Sequence, residues 1–308
     1  MKYVNFPGRQ EKVSVIGLGT WVFGGDSWGG AEDDACVDAV KEALALGMNF
    51  IDTAPIYSDG RSEEIVGRGI KGCREKAFIA TKCGIVRENG RIKHDLTPSS
   101  IMNEVDLSLK RLGCDVIDLY MCHRPDPQTP IEETMDALLK LRDMKKIRHI
   151  GVSNFEIDLL KRACAVAPVV TNEVEYSLLQ RGIEEELLSF CQERGIGIIG
   201  YGAMGGGVLT GKYKGKIPNF RKYDARKMFY TFYEKDKLQK IEAFLRELRA
   251  FGRPLNQLAL NWVRQQPGVM TVLAGCRDPQ QVKENFLASD WDLSSEELDR
   301  LKKVEIFS

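Results

Sequence analysis

Asn49-Phe50-Ile51-Asp52, Ala77-Phe78-Ile79-Ala80-Thr81-Lys82, Val116-Ile117-Asp118-Leu119-Tyr120-Met121-Cys122-His123 and Gly151-Val152-Ser153-Asn154 are the stretches that decide how this chain folds. Each is a short apolar run closed by polar residues, as expected of a buried strand whose C-terminal end reaches an open mouth. In a barrel of parallel strands those ends converge on one face, which is where such barrels do their chemistry. Asp52, Lys82 and His123 are therefore expected to meet, with Tyr57 five residues beyond Asp52. A carboxylate, an ammonium, an imidazole and a phenol at one mouth make a tuned proton donor.

Outward from these runs, strand candidates begin near Val15, Asn49, Ala77, Val116, Ile147, Val169, Gly197 and Val269, with amphipathic helical patterns between them. Ile101, Val105, Leu109 and Leu112 share one helix face, as do Ile131, Met135 and Leu138. Thr97-Pro98 and Thr129-Pro130 read as a capping hydroxyl before a helix-opening proline, and Thr129 to Glu132 has capping-box spacing. Strands each followed by a helix predict a closed (β/α)₈ TIM barrel. Lys2 to Val15 reads as a hairpin plugging its N-terminal end. Two helical patterns, Leu238 to Leu248 and Leu255 to Val263, stand near the C-terminus where one would suffice, after a long polar loop from about Gly205 to Tyr233. No linker divides the 308 residues, so one domain spanning 1–308 is expected.

Lys plus Arg and Asp plus Glu balance at 44 each, which gives no global attraction to nucleic acid or anionic membrane. The first residues lack a signal-peptide core, and no stretch is long and apolar enough for a bilayer, so a cytoplasmic protein is expected. Eight cysteines without a C-x-x-C pair and three histidines argue for buried thiols over a zinc site.

The four polar residues have compatible roles. A carbonyl that accepts hydride develops alkoxide charge and needs a proton, and an ordinary tyrosine, with pKa about 10, is a weak acid for this. The Lys82 ammonium is expected to lower the Tyr57 pKa, Asp52 to fix the ammonium, and His123 to orient the carbonyl oxygen.

With Gly17-Leu18-Gly19-Thr20-Trp21, Phe50-Ile51-Asp52-Thr53-Ala54-x-x-Tyr57, Thr81-Lys82, Ile150-Gly151-Val152-Ser153-Asn154-Phe155, Glu175-Tyr176-Ser177-Leu178-Leu179, Gly207 to Tyr213 and Gly275 to Asn285, the chain resembles the aldo-keto reductases over nearly its whole length. The Gly-Thr-Trp start and the long seventh loop look most like the bacterial branch containing channel-subunit-like and sugar-related reductases. The resemblance implies an NADP(H)-dependent oxidoreductase, NADH not excluded, acting on aldehydes, ketones or sugars and the matching alcohols. Asp52, Tyr57, Lys82 and His123 fall on its catalytic positions. Its nicotinamide carboxamide contacts fall on Ser153 and Asn154, and its ring-stacking aromatic on Tyr201. Gly19, Thr20 and Trp21 fall beside the tetrad, and Gly202, Met204, Leu209, Gly211 and Lys212 on the loop over the cofactor. Gly275, Arg277, Gln281, Glu284 and Asn285 fall at the adenosine end, Arg277 being the candidate for the 2′-phosphate. Many members have Lys at Gly275 and Arg at Gln281.

The family's third carboxamide contact is usually glutamine; here it is Glu173. An ionised Glu173 favours an oxidised, positively charged ring, by roughly 3 kcal/mol at about 6 Å and effective dielectric ~20; a protonated one behaves like glutamine. Lys212 to Lys227 hold seven basic residues against Asp224, either a draw for a phosphorylated cofactor or an ordinary solvated loop. Gly200-Tyr201-Gly202-Ala203-Met204-Gly205 has G-x-G-x-x-G spacing but leads into more glycines, not a helix, so a dinucleotide fingerprint is rejected. Trp21, Phe23, Trp28, Met204, Tyr223, Phe229 and Tyr230 are candidate walls of a substrate pocket. The rival readings are a non-catalytic nucleotide-binding regulator that senses redox state and a phosphate-sugar isomerase on the same barrel. Oligomeric state has no signature in the sequence.

Overall fold

Strand and helix patterns resolve into the predicted barrel. The computed structural model describes all residues except 9–10, 26–27, 223, 305 and 307–308. An antiparallel hairpin, β1 (Tyr3–Asn5) and β2 (Lys12–Ser14), precedes the wall. The wall comprises β3 (Ile16–Gly19), β4 (Phe50–Asp52), β5 (Phe78–Cys83) and, after a second hairpin of β6 (Ile85–Glu88) and β7 (Arg91–His94), β8 (Ile117–Cys122), β9 (Ile147–Ser153), β10 (Val169–Glu175), β11 (Gly197–Tyr201) and β12 (Val269–Gly275). Each wall strand pairs in parallel with the next, and β12 closes on β3.

Side chains alternate across this wall. Phe50, Phe78, Ala80, Leu119, Met121, Ile199 and Leu273 point inward and pack with Phe6 and Val13, so the first hairpin plugs the barrel as expected. Their neighbours Ile51, Ile79, Tyr120, Cys122, Ile198 and Val272 join the cluster under the helices. With both faces buried, the strands are apolar throughout, which is why they were legible as runs.

The helices are α1 (Asp33–Ala45), α2 (Arg61–Gly69), α3 (Pro98–Leu112), α4 (Ile131–Asp143), α5 (Ile157–Val166), α6 (Leu187–Arg194), α7 (Ala225–Phe229), α8 (Lys235–Arg249), α9 (Leu255–Arg264), α10 (Pro279–Phe286) and α11 (Ser295–Lys302). The doubled helix before the last strand is α8 with α9. Thr97 caps α3 as predicted, its hydroxyl accepting from Ser100 N. The expected Thr129 cap does not form: α4 begins at Ile131 after Pro130, and the Thr129 hydroxyl donates to Asp126 Oδ2 at 2.7 Å instead. The helix starts one residue later than expected, with Pro130 in the cap position, which leaves Thr129 outside it. After β11, Gly205–Thr210 is a 3₁₀ segment interrupted by left-handed Gly206 and Gly207, not a nucleotide-binding helix. No helix among the described residues is long and apolar enough to cross a membrane.

Gly151 shows how tightly the wall is built. A Cβ there would lie 2.4 Å from Thr171 Oγ1 and 2.8 Å from Met121 Cγ. Gly151→Ala is expected to destabilise the protein by about 1–3 kcal/mol, measured by urea denaturation, because neither neighbour has room to retreat.

Candidate active site

Closure of the barrel brings one cation into the middle of its mouth. Lys82, next to last in β5, is fully buried, and its Nζ donates to Asp52 Oδ1 at 2.5 Å, to Tyr57 Oη at 3.2 Å and to the Thr53 carbonyl at 3.3 Å. From β10 a second carboxyl reaches it, Glu173 Oε1 at 3.3 Å. Tyr57 opens a tight turn in which Ser58 and Asp59 adopt left-handed φ, and the Ser58 hydroxyl pins that turn to the Phe23 carbonyl at 2.8 Å. The His123 ring meets the Tyr57 ring edge to face, with centroids 5.7 Å apart. The tetrad expected from the strand ends is thus one contiguous cluster.

Its electrostatics differ from expectation at the phenol. Burial raises the Tyr57 pKa well above its ordinary value; the Lys82 charge pulls it down, but Asp52 and Glu173 push it up again. The expected lowering was argued from Lys82 without the cost of taking a phenolate out of water. Burial also disfavours the Lys82 charge, yet Asp52, then Glu173, more than offset it and hold the ammonium protonated. Burial, then Lys82, keeps the His123 pKa well below the usual imidazole value, so this ring is neutral and offers hydrogen bonds, not charge.

The remaining predicted contacts adjoin this cluster. Ser153 ends β9 in register with Glu173, and its hydroxyl donates to the Glu173 carbonyl at 3.0 Å. Asn154, at left-handed φ +59°, donates through Nδ2 to the His123 carbonyl at 3.1 Å and to Ser153 Oγ at 2.9 Å. Its Oδ1 accepts from the Tyr201 hydroxyl at 2.8 Å, which fixes the half-buried Tyr201 ring at the end of β11. Glu173 Oε2 is buried with no hydrogen-bond donor among the described residues. A nicotinamide carboxamide suits this set, since its NH₂ would supply the donor that Oε2 lacks.

At the rim, Trp21 packs on Trp28, Phe229 and Tyr57 with centroids 4.9, 5.0 and 6.0 Å away, and Trp28 meets Tyr230 at 6.3 Å. Gly19 ends β3 beside them. Thr20 is fully buried, its hydroxyl on the Asp52 carbonyl at 2.8 Å, so it braces the site from behind. Phe23 is also fully buried and belongs to the core; Tyr223 lies outside the described residues. Gly202, Met204 and Gly211 are half-buried along the seventh loop, Leu209 is buried beneath it, and Lys212 is exposed with its ammonium 4.9 Å above the Tyr213 ring.

Gly275 ends β12 at the far side. Arg277 Nη1 donates to the carbonyls of Trp28 and Gly30 at 3.1 and 3.3 Å, tying the segment after β12 to the first loop. Gln281 Oε1 accepts from Arg277 N at 3.1 Å, and Asp278 caps α10 through Gln281 N. Glu284 is exposed, while buried Asn285 bonds Asn256 and Cys276. In the basic loop, Arg226 is spent on Asp224 and Tyr213.

A family model, the aldo/keto reductase family, matches residues 15–306. The chain belongs to this family. It is 37% identical to the aldo-keto reductase YhdN of Bacillus subtilis over 96% of this chain and 91% of that protein. It is 34% identical to the NADH-specific methylglyoxal reductase of Escherichia coli over 99% and 98%. Among solved structures, the glycerol dehydrogenase AKR11B4 of Gluconobacter oxydans superposes with a TM-score of 0.89 at 36% identity, covering 97% of this chain and 94% of that one.

Within this aldo-keto reductase site, the contact between Glu173 and Lys82 escaped sequence reasoning, which placed Glu173 only against the cofactor. Burial, then the neighbouring Asp52 charge, raises the Glu173 pKa to about 8, with Lys82 opposing. A carboxyl whose pKa is higher folded than unfolded stabilises the fold fully below the unfolded value and loses that contribution as pH rises to the folded one. Relative to Glu173→Gln, the wild type is therefore expected to lose up to a few kcal/mol of stability between pH about 4.5 and about 8, read from urea denaturation across that range.

Proposed function

We propose that this protein interconverts aldehydes or ketones, sugars included, with their alcohols in the cytoplasm, using NADPH/NADP⁺ first and NADH as a permitted second. The observation that carries this reading is the buried Lys82 ammonium, 3.2 Å from the Tyr57 hydroxyl and anchored by Asp52 at 2.5 Å. A donor so placed serves a group that becomes basic during reaction, as a carbonyl oxygen does when carbon receives hydride. The bound nicotinamide supplies or accepts that hydride. Tyr57 gives its proton to the developing alkoxide, or takes it back in alcohol oxidation. Lys82 stabilises the phenolate left behind, Asp52 keeps Lys82 in place, and neutral His123 orients the carbonyl oxygen. Trp21, Phe229 and Tyr230 exclude water from the exchange.

The relatives support both directions: one is named for reducing methylglyoxal, another for dehydrogenating glycerol. Support for NADPH rests on Arg277, whose guanidinium keeps N–H groups beyond the two it commits to main-chain carbonyls. Gly275 and Gln281 supply no cation there.

Tyr57→Phe should lower kcat by about 10² to 10⁴ while cofactor affinity, from fluorescence titration, stays within about twofold. Near-normal turnover against a panel of carbonyls and sugars would end the proposal. Arg277→Ala should weaken NADPH about tenfold more than NADH, one charge-assisted bond being lost; an equal loss for both would mean that Arg277 only braces the loop.

A further inference from the structure

Glu173 occupies a position that asks more of it than of a glutamine. Its Oε1 touches the Lys82 ammonium, which Asp52 already holds more closely, at 2.5 against 3.3 Å. The site thus sets two buried carboxyls on one cation. Oε2 has no donor among the described residues, so an ionised Glu173 leaves a buried oxygen unsatisfied, whereas a protonated one can donate to Asp52. Like charges this close do not both persist in a buried site. The weaker contact to Lys82 assigns the shared proton to Glu173.

We propose that Glu173 couples a proton to the redox state of the cofactor: it holds the proton when the nicotinamide is reduced and neutral, and releases it to solvent when the ring is oxidised and positive. This rests on reading the site as a nicotinamide pocket. The exchange balances as carboxylic acid plus oxidised cofactor giving carboxylate, bound oxidised cofactor and one proton. Of the groups facing Glu173, one other is a carboxyl whose pKa burial also raises, Asp52, so the two titrate as a pair. From β5 comes the Lys82 ammonium, from β4 the Asp52 carboxylate, and from the turn after β4 the Tyr57 phenol, whose pKa is raised. From β11 comes the Tyr201 phenol, pushed up to about 12 by burial and then Glu175, and from β9 the uncharged Ser153. With its own value near 8 and the longer contact to Lys82, Glu173 is the carboxyl of that pair to which the titrating proton is assigned. Lys82 Nζ also lies 3.2 Å from Tyr57 Oη, so one ammonium contacts both the carboxyl that holds the proton and the phenol. Glutamine cannot hold or release such a proton. Glu173 is thereby a determinant of which cofactor state is held, and of how that choice depends on pH.

The test is calorimetric titration of the whole protein with NADP⁺ and with NADPH, in buffers of different ionisation enthalpy, from pH 6 to 8. The wild type should release close to one proton per NADP⁺ bound at pH 7 and far less with NADPH. Its affinity ratio for NADP⁺ over NADPH should rise at least about tenfold from pH 6 to 8, by linkage. In Glu173→Gln the release should vanish and the ratio flatten. Equal proton release with both forms in the wild type, or release that persists in the variant, overturns the proposal and leaves the cofactor reading standing. Failure of both dinucleotides, and of NAD⁺ and NADH, to bind overturns the two together. The wild-type series decides by itself if the variant does not fold.

Discussion

A single ammonium buried at the barrel mouth is the constraint around which this site is organised. Removing a lysine from water costs several kcal/mol, and nothing in its own strand repays it. Asp52 comes from the adjoining strand, but Glu173 comes from across the barrel, and Tyr57 from a turn held by the first loop. The cation is therefore stable only when the wall is closed. Closure in turn needs the interior packed by Phe50, Phe78 and the Phe6 plug, so the buried charge and the hydrophobic core form together.

The same burial governs what the neighbours do. A phenol beside an ammonium in water would be acidified; here the low-polarity surroundings outweigh that attraction and keep Tyr57 protonated. His123 is kept neutral by the same forces. The cluster is poised to respond to charge created within it, since each group is held in the form that a new negative oxygen or a new positive ring would shift.

Most of the fold was legible because parallel barrel strands are buried on both faces and read as uninterrupted apolar runs. The tetrad was legible because strand ends share one mouth, so register alone places Asp52, Lys82 and His123 together. What escaped has separate causes. The hairpin β6–β7 carries charged, exposed residues and no apolar run, although Asn89-Gly90 at left-handed φ is its turn and was a readable signal. The Thr129 cap failed because α4 starts one residue later, with Pro130 in the cap position. The contact between Glu173 and Lys82 spans the barrel interior, and no local pattern encodes it.

One arginine ties together two loops of the rim. Arg226 is bound to Asp224 at 2.8 and 2.6 Å and to the Tyr213 hydroxyl at 3.1 Å, and its guanidinium lies 4.6 Å from the Phe220 ring and 5.7 Å from the Trp28 ring. It thus clamps the long seventh loop onto the first loop, to which Arg277 is bonded from the other side. The aromatic wall of Trp21, Trp28, Phe229 and Tyr230 is assembled from those two loops, neither of which forms it alone. A basic segment that reads in sequence as a field for phosphate is, at Arg226, a mechanical tie. Arg226 and Arg277 therefore both hold Trp28, one by its ring and the other by its carbonyl, so the aromatic rim and the segment after β12 share one anchor.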